Sequence, residues 1–411
     1  MHQGSLIALL LLYWSLLPAQ PAAAQEWTRF RGPNGSGLCE ASGIPTTWTE
    51  KSFNWRVELP GTGISQPVVW GSRIFVLSAA ANGSERFLEC RRVKDGSVEW
   101  ARKFPCAPHS KHDRNTFATI TPAVDADRLY VILSAPEASK LLALDPTGKD
   151  VWSHDLGPHV SRHAGGASPV LFEDLVVITN ELDEGSFVAA VDRKTGERRW
   201  TTSRKSTMAA YGTPCLFENS PGKPELVFTS NAHGFYGLDP RTGAVTWEAA
   251  VFDKRTVSSP VVAAGLLVGT CGSGGGGNYI VAMKPGGKGD VTATHLAYKL
   301  QKSIPYVPTP LARGDLLFLW SDKGIVSCVE APTGSILWQE RVGGGYSGSP
   351  ICIGDRIYCM SEEGEVPVIA ASREFKILAR NPLGEGSRST PAVAGGRLYL
   401  RSYTHLISIG G

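Results

Sequence analysis

Short apolar runs separated by turn residues recur along the whole chain. Runs such as RLYVIL (128–133) and LVVITN (175–180) are rich in β-branched and aromatic residues, and Gly, Asp or Asn bounds them. The 3.6-residue periodicity of an amphipathic helix is missing throughout. This pattern is typical of strands joined by tight turns, and it predicts an all-β protein.

Eight of these runs begin at a proline, and seven of the eight prolines follow a serine or threonine. The mean spacing is about 46 residues, from 324 residues divided by seven intervals. Each interval holds four strand-like runs, A to D, so the period predicts propeller blades rather than helical repeats. The prolines are Pro67, Pro122, Pro169, Pro214, Pro260, Pro310, Pro350 and Pro391.

A second landmark recurs inside the repeat, as in LALDPTGKDVW (142–152): an acid, a Thr-Gly pair and a tryptophan. We expect the glycine to take a positive φ in a hairpin between strands C and D, and the tryptophan to pack between blades. The glycines are Gly148, Gly196, Gly243 and Gly334, with Trp152, Trp200, Trp247 and Trp338 four residues later and a looser match at Trp100.

The last repeat lacks strand D, because the sequence ends with LYLRSYTHLISIGG. Residues 53–59 (FNWRVEL), which contain Trp55, have the strand D pattern and precede the first blade. Pairing them with the last repeat would close the ring and leave no open sheet edge. The sequence therefore predicts a single eight-bladed β-propeller of four-stranded antiparallel blades over residues 53–411.

The repeat resembles that of the pyrroloquinoline quinone (PQQ) family of propellers, which includes quinoprotein alcohol dehydrogenases and the BamB scaffold branch. Blades five and seven depart from it, since AMKPGGKGD and AASREFKIL lack both the Thr-Gly pair and the tryptophan. WTRFRGPNGSG, TCGSGGGGN and NPLGEGS are also similar to segments of exported bacterial PQQ-repeat proteins. The WD-repeat and Asp-box patterns fit less well.

The N-terminus predicts export. An apolar run at 6–17 is followed by Ala22, Ala23 and Ala24, which favours a signal peptide over residues 1–24 and a leader over 25–52. The run is shorter than a membrane span, and no later stretch is long enough for one. We expect a monomer in the periplasm or outside the cell.

The net charge and the cysteine content add little to the prediction of partners or of disulfides. The net charge of +3 gives no general attraction to nucleic acid or to an anionic membrane. The eight cysteines include no CxxC motif and no adjacent pair, so no disulfide pairing is assigned. Cys215, Cys328, Cys352 and Cys359 lie in apolar runs and are expected to be buried.

Cations cluster in the loops that precede strands A, which should share one face of the ring. On a nearly neutral chain they predict a positive channel mouth that attracts anions, although solvated loop residues would look the same. Aromatic residues at the mouth could instead stack on a polysaccharide, with Tyr211 and Tyr306 as further candidates. The candidate ligand-binding residues are His112, Arg114, Arg162, His163, Lys254, Arg255, Trp320, Lys323, Tyr346 and Arg388.

Other polar groups have simpler interpretations. The residues before the eight prolines should lie near the channel, with a structural role favoured because hydroxyl groups bond nearby backbone. TCGSGGGGN is interpreted as a surface turn rather than an anion nest, and HSKH and HVSRH have no carboxylate companion, so no metal is predicted. Acidic residues in B–C loops are interpreted as solvated charges: Glu181, Asp183, Glu184, Glu362 and Glu363.

These observations favour an exported, non-catalytic binding or protein-interaction scaffold of the cell envelope, with an envelope protein or an anionic ligand as partner and no cofactor. The alternative is a quinoprotein oxidoreductase, which would need PQQ and calcium. Against it, the adjacent Cys-Cys ring of those dehydrogenases is absent. A binder of polysaccharide or anionic polymer is the third possibility.

Overall fold

The computed structural model describes residues 26–107, 111–161 and 163–411. Eight sheets form an eight-bladed propeller, which confirms the predicted fold. Two short 3₁₀ turns, Pro33–Gly35 and Glu50–Ser52, accompany the strands. Within the described residues there is no helix with the length and apolarity needed to cross a bilayer. The predicted signal peptide and Arg162 lie outside the described residues.

Each blade runs outward from strand A at the channel to strand D, and the A strands of neighbouring blades touch. The first four blades comprise these strands: Val68–Trp70, Arg73–Ala79, Glu85–Arg92 and Val98–Pro105 in blade one; Ala123–Val124, Leu129–Leu133, Ser139–Leu144 and Asp150–Gly157 in blade two; Val170–Phe172, Leu175–Asn180, Phe187–Asp192 and Arg198–Ser203 in blade three; Cys215–Ser220, Lys223–Ser230, Gly234–Leu238 and Val245–Ala249 in blade four.

The other four blades follow the same plan: Val261–Ala263, Leu266–Cys271, Tyr279–Met283 and Leu296–Leu300 in blade five; Leu311–Arg313, Leu316–Trp320, Ile325–Glu330 and Ser335–Arg341 in blade six; Ile351–Ile353, Arg356–Tyr358, Glu365–Ala370 and Ile377–Pro382 in blade seven; Ala392–Ala394, Arg397–Arg401, His405–Gly410 and Phe53–Glu58 in blade eight. Two extra strands join in parallel: Gly289–Asp290 on blade four and Leu38–Cys39 on blade seven.

The ring closes as predicted. Phe53–Glu58 pairs antiparallel with His405–Gly410, from Phe53 opposite Ile409 to Glu58 opposite His405. The strand that comes first in the propeller therefore completes its last blade, and it covers the edge that His405–Gly410 would otherwise expose.

The Thr-Gly turn and the tryptophan form a clasp between blades. Gly148 has a φ of +84°, and a Cβ atom there would lie 2.7 Å from the Trp100 ring of the preceding blade. The Trp100 indole N–H donates to the Pro146 carbonyl at 3.0 Å. Trp55, Trp152 and Trp200 make equivalent contacts with the next blade. Only glycine combines this φ with this close approach.

The departures at blades five and seven have structural substitutes. On blade five, Tyr298 takes the tryptophan position, since its hydroxyl donates to the Ala331 carbonyl at 2.8 Å and its ring covers Gly334. Trp247 meets no Thr-Gly turn on blade five; its indole N–H donates to Glu225 within its own blade. Trp338 donates to the Ser372 carbonyl at 3.1 Å. The clasp therefore depends on an aromatic ring with a polar tip.

The cysteines predicted to be buried are buried. Cys215, Cys328, Cys352 and Cys359 are each at most 3% exposed. Burial raises the pKa of the Cys215 and Cys328 thiols to about 12, so both are neutral at physiological pH. They act as small apolar groups of the blade cores.

Candidate functional site: the central cavity

A cavity of about 920 Å³ lies at the channel mouth, among the loops that enter strands A. The leader closes its other end. Trp27 pairs with Val69 of blade one, and the Thr28 carbonyl accepts from Val124 of blade two at 2.9 Å. Phe30 lines the cavity. The leader therefore lies across the end of the channel opposite to the mouth.

The leader continues across the ring beyond Phe30. Asn34 bonds Leu216 of blade four in both directions, at 2.8 and 2.7 Å. The chain then joins blade seven as Leu38–Cys39. We call residues 27–39 the plug. The sequence offered WTRFRGPNGSG only as a family resemblance, and the plugging role was not predicted.

Two arginines of the plug are buried beneath the cavity. Arg29 donates to the Pro214 carbonyl at 2.7 Å, and Arg31 to the Pro350 carbonyl at 3.3 Å. Burial lowers the pKa of Arg29 to about 10 and that of Arg31 to about 9, so both remain charged at neutral pH. Their charges add positive potential at the closed end of the channel.

The hydroxyl groups before the prolines form a ring of hydrogen bonds between blades. Each accepts from the backbone N–H of the equivalent residue in the preceding blade, at 2.9 to 3.1 Å. Gln66 closes the ring, since its side chain donates to the Pro391 carbonyl and accepts from the Arg31 N–H. This confirms the favoured structural role and places these residues on the cavity wall: Thr121, Ser168, Thr213, Ser259, Thr309, Ser349 and Thr390.

The cavity lining is strongly cationic. Four cations and two imidazoles contribute to it, against one carboxylate, that of Asp322, among the described lining residues. The cations and imidazoles are Arg114, Arg255, Lys323, Arg388, His112 and His163, all of which were predicted from the sequence. A cleft lined by one sign of charge raises the local concentration of ions of the opposite sign.

Arg255 lies beside a cluster of imidazole and tyrosine rings at one side of the cavity. Its Nη1 lies 3.0 Å from Nε2 of His163, which must accept and therefore carries no proton. The His163 ring lies 4.7 Å from the His112 ring and 5.8 Å from the Tyr211 ring. Arg255 lines the cavity, so its guanidinium charge can act on a ligand there.

Arg388 is held in place from two sides. It donates to the Arg114 carbonyl at 3.0 Å and to the Glu362 carboxylate at 2.9 Å. Burial opposes ionisation of Glu362, but hydrogen bonds from Arg388 and from Ser347 hold its pKa below the usual range. The interpretation of Glu362 as a solvated charge is wrong, because the B–C loop packs against the loop that carries Arg388.

Three predicted residues lie away from the cavity wall. The expectation that Trp320 and Tyr346 face the mouth is wrong: they are 0% and 1% exposed and pack edge to face in the core between blades six and seven. Trp320 is the last residue of strand B and points into the blade interior. Lys254 donates to the Gly277 carbonyl at 2.7 Å and so holds the glycine-rich loop, which does line the cavity.

Asp322 was not predicted as a site residue, although it precedes Lys323 in FLWSDKG. Its carboxylate accepts from the backbone N–H groups of Tyr306 and Val307, at 2.7 and 3.1 Å. Burial raises the pKa of Asp322, and these two bonds oppose the rise. Asp322 therefore fixes the loop that presents Tyr306 to the cavity.

Glu181, like Glu362, was predicted to be a solvated charge but is shielded from solvent. It is 5% exposed and accepts from the Tyr236 hydroxyl at 2.8 Å. Burial raises the pKa of Glu181 to about 7, against the lowering effect of Tyr236 and Arg204. Arg204 lies over the Tyr236 ring and pairs with Glu248 at 2.7 Å. Strand C of blade four covers this loop of blade three, which the sequence pattern did not reveal.

Replacing Glu181 by Gln should stabilise the protein above pH 7 by on the order of 2 kcal/mol, with little change at pH 5. A carboxyl group whose pKa is higher in the folded state than in the unfolded state loses stability as pH rises between the two values. Urea unfolding at pH 5, 6, 7 and 8 measures the difference. Glu184→Gln, an exposed change in the same loop, is the control. A change that is equal at every pH would contradict this assignment.

The lining fits only part of a PQQ site. Arg114, Arg255 and Arg388 suit the carboxylates of the cofactor. Calcium needs several oxygen ligands, but Asp322 already accepts two backbone bonds, and the Asn278 amide oxygen accepts from Ser273 at 3.0 Å. The described residues contain no cluster of three His, Cys, Asp or Glu suited to a metal.

The histidines of HSKH and HVSRH are only partly brought together. His112 and His163 are ring neighbours, whereas Nε2 of His159 lies 2.9 Å from the His163 carbonyl. His109 lies outside the described residues. The arrangement is that of packed rings and backbone bonds.

Known proteins share this fold and repeat. A family model described as "Outer membrane protein assembly factor BamB" matches residues 48–157, 93–339 and 322–409. A curated protein of that name from Moranella endobia (strain PCIT) is 22% identical in an alignment of 268 positions, and the match covers 59% of this chain. The match covers 64% of that relative, so the chain spans less than two thirds of its length.

Solved structures agree on the architecture. BamB from Moraxella catarrhalis superposes with a TM-score of 0.59 at 16% identity, over 90% of this chain and 99% of that one. The quinohemoprotein alcohol dehydrogenase from Comamonas testosteroni gives 0.65 at 12% identity, over 94% and 80%. At these identities the likeness shows the fold alone. Since the family model matches most of the chain, this protein belongs to the PQQ-repeat propeller family that is described as outer membrane protein assembly factor BamB.

Proposed function

We propose that this chain is an exported, non-catalytic binding propeller of the cell envelope, and that its central cavity captures an anionic group of a protein partner or ligand. The observation that carries the proposal is the excess of cations over carboxylates among the described lining residues of a cavity of about 920 Å³. The size lies within the range of ligand sites. The signal-type sequence at 1–24 and the assembly-factor description of the family support export and a scaffold role.

The charged groups of the lining support binding rather than catalysis. Asp322 is committed to two backbone N–H groups, and the His163 Nε2 atom to Arg255. Among the described residues, Arg255 and Arg388 line the cavity, and their guanidinium groups can donate charge-assisted hydrogen bonds to a ligand oxyanion.

Quinoprotein chemistry remains the second candidate, because the same three arginines would suit the carboxylates of PQQ. The fold is also shared with a quinohemoprotein alcohol dehydrogenase. An anionic polymer is compatible with the proposal as well, since Tyr211 and Tyr306 line the same cavity and offer rings for stacking.

Fluorescence anisotropy with a labelled tetraglutamate peptide tests the proposal. We expect binding that weakens with salt, that tetraglutamine does not reproduce, and that falls about tenfold in Arg255→Gln through loss of a charge-assisted contact. Arg198→Gln, on the exposed outer strand of blade three, is the matched control. Equal losses in the two variants, or equal binding of tetraglutamine, would contradict a cavity site.

A further inference from the structure

A separate side chamber of about 190 Å³ lies beside the central cavity. It sits between the loops of blades one and two and the loop that enters blade three. Thr119 and His163 line both spaces, so these two residues lie between the chamber and the central cavity. None of the sequence patterns pointed to it.

The chamber suits a compact apolar body. Its apolar wall comes from strand ends and loops of two blades: Leu77, Phe117, Ile120, Ile132 and Leu133. An entirely apolar cavity of about 150 Å³ binds benzene, so the volume of this chamber is sufficient for one ring with a small substituent. Polar side chains complete the lining and can contact the polar part of such a molecule: Thr119, Ser134, His159, Ser161 and His163.

A buried cation faces this apolar wall. Arg86 is 3% exposed, donates to the Gly83 carbonyl at 2.8 Å and lies over the Phe117 ring at 5.0 Å. Among the described residues no Asp or Glu forms an ion pair with it, and burial lowers its pKa. Buried charges in proteins are usually paired. A carboxylate held against Arg86 would neutralise this buried charge.

We infer that the side chamber is a second binding site, for a small free carboxylic acid with an aromatic or branched apolar body whose carboxylate pairs with Arg86. A hydrated inorganic anion would leave the apolar wall unsatisfied, and an uncharged hydrocarbon would leave Arg86 unpaired. The volume excludes a polymer segment. This site goes beyond the anion binding proposed for the central cavity, because it requires an apolar body.

Titration of the full chain with benzoate, benzyl alcohol and acetate, followed by ligand-observed NMR, tests the inference. Benzoate combines ring and charge, whereas each of the other two probes lacks one of them. We expect benzoate to bind at least about tenfold more tightly than either, since both the buried ring and the charge-assisted contact contribute.

Two variants locate the site. Ala164 lines the chamber, so Ala164→Phe should fill it and abolish benzoate binding, while Ala164→Ser should bind as the native chain does. Arg86→Met should reduce benzoate to the affinity of benzyl alcohol. The two Ala164 variants keep Arg86, so they show whether benzoate binds in the chamber even if Arg86→Met fails to fold.

Lys323→Gln separates this inference from the proposed function, because Lys323 lines the central cavity and not the chamber. We expect it to leave benzoate binding unchanged and to weaken tetraglutamate binding. Benzoate binding that survives Ala164→Phe but is lost in Lys323→Gln would overturn the chamber site and leave the central site standing. Failure of benzoate to bind at high millimolar concentration would overturn it as well.

Discussion

A chain that begins at residue 60 will lose cooperative folding or melt on the order of 10 °C below a chain that begins at residue 40. Both lack the plug, but only the longer chain keeps Phe53–Glu58, which pairs with His405–Gly410. Trp55 is 8% exposed and donates to the Val93 carbonyl of blade one at 3.0 Å. Loss of this strand exposes the edge of His405–Gly410 and also removes the Trp55 contact with blade one.

Thermal unfolding of the two truncated chains measures this effect, and a peptide of residues 48–59 provides the control. Adding the peptide in trans should raise the melting temperature of the chain that begins at residue 60, because it restores the strand. A scrambled peptide of the same composition should not. Equal melting temperatures for the two chains would show that the closure strand contributes little.

Trp27→Ala will destabilise the protein by about 3–5 kcal/mol, the usual loss for a large buried aromatic side chain. Trp27 is 0% exposed, and its ring packs so closely on Gly32 that a Cβ atom there would lie 2.7 Å away. Its backbone bonds Val69 at 3.1 and 2.9 Å. Loss of this anchor should free the plug and open the floor of the central cavity.

Urea unfolding gives the stability change, and limited trypsin digestion at Arg29 and Arg31 reports release of the plug. Trp70→Ala is the matched control, because Trp70 lies on the neighbouring strand and is only partly buried. We expect Trp70→Ala to cost less and to leave both arginines protected. Equal protection of the plug in the two variants would contradict its anchoring by Trp27.

The repeat made the ring predictable from the sequence. The regular spacing of the prolines gave the number of blades. Because the last repeat has no strand D, residues 53–59 could be predicted to supply it. Four Thr-Gly turns and their positive φ values followed from local chemistry alone. Such features can be predicted from the sequence because they repeat, and each copy contacts an equivalent neighbour in the next blade.

The plug and the side-chain directions were not predictable in the same way. Residues 27–39 have no repeat and no period, so their path across the ring depends on contacts with distant blades. The direction of Trp320 could not be predicted, because both faces of a blade are covered by its neighbours. Apolar and polar residues then do not alternate along a strand, so the pattern does not show which side chains face the core and which face the mouth. Glu181 was misread because its loop lies under the next blade.

We propose that the central cavity binds anions through its arginines without a metal. Calorimetric titration of the full chain with PQQ, a tricarboxylate, in calcium and in EDTA tests this proposal. We expect equal affinity in both buffers and a loss of about tenfold in Arg255→Gln. Binding that needs calcium would overturn the proposal and favour a cofactor site, and no binding in either buffer would overturn it as well.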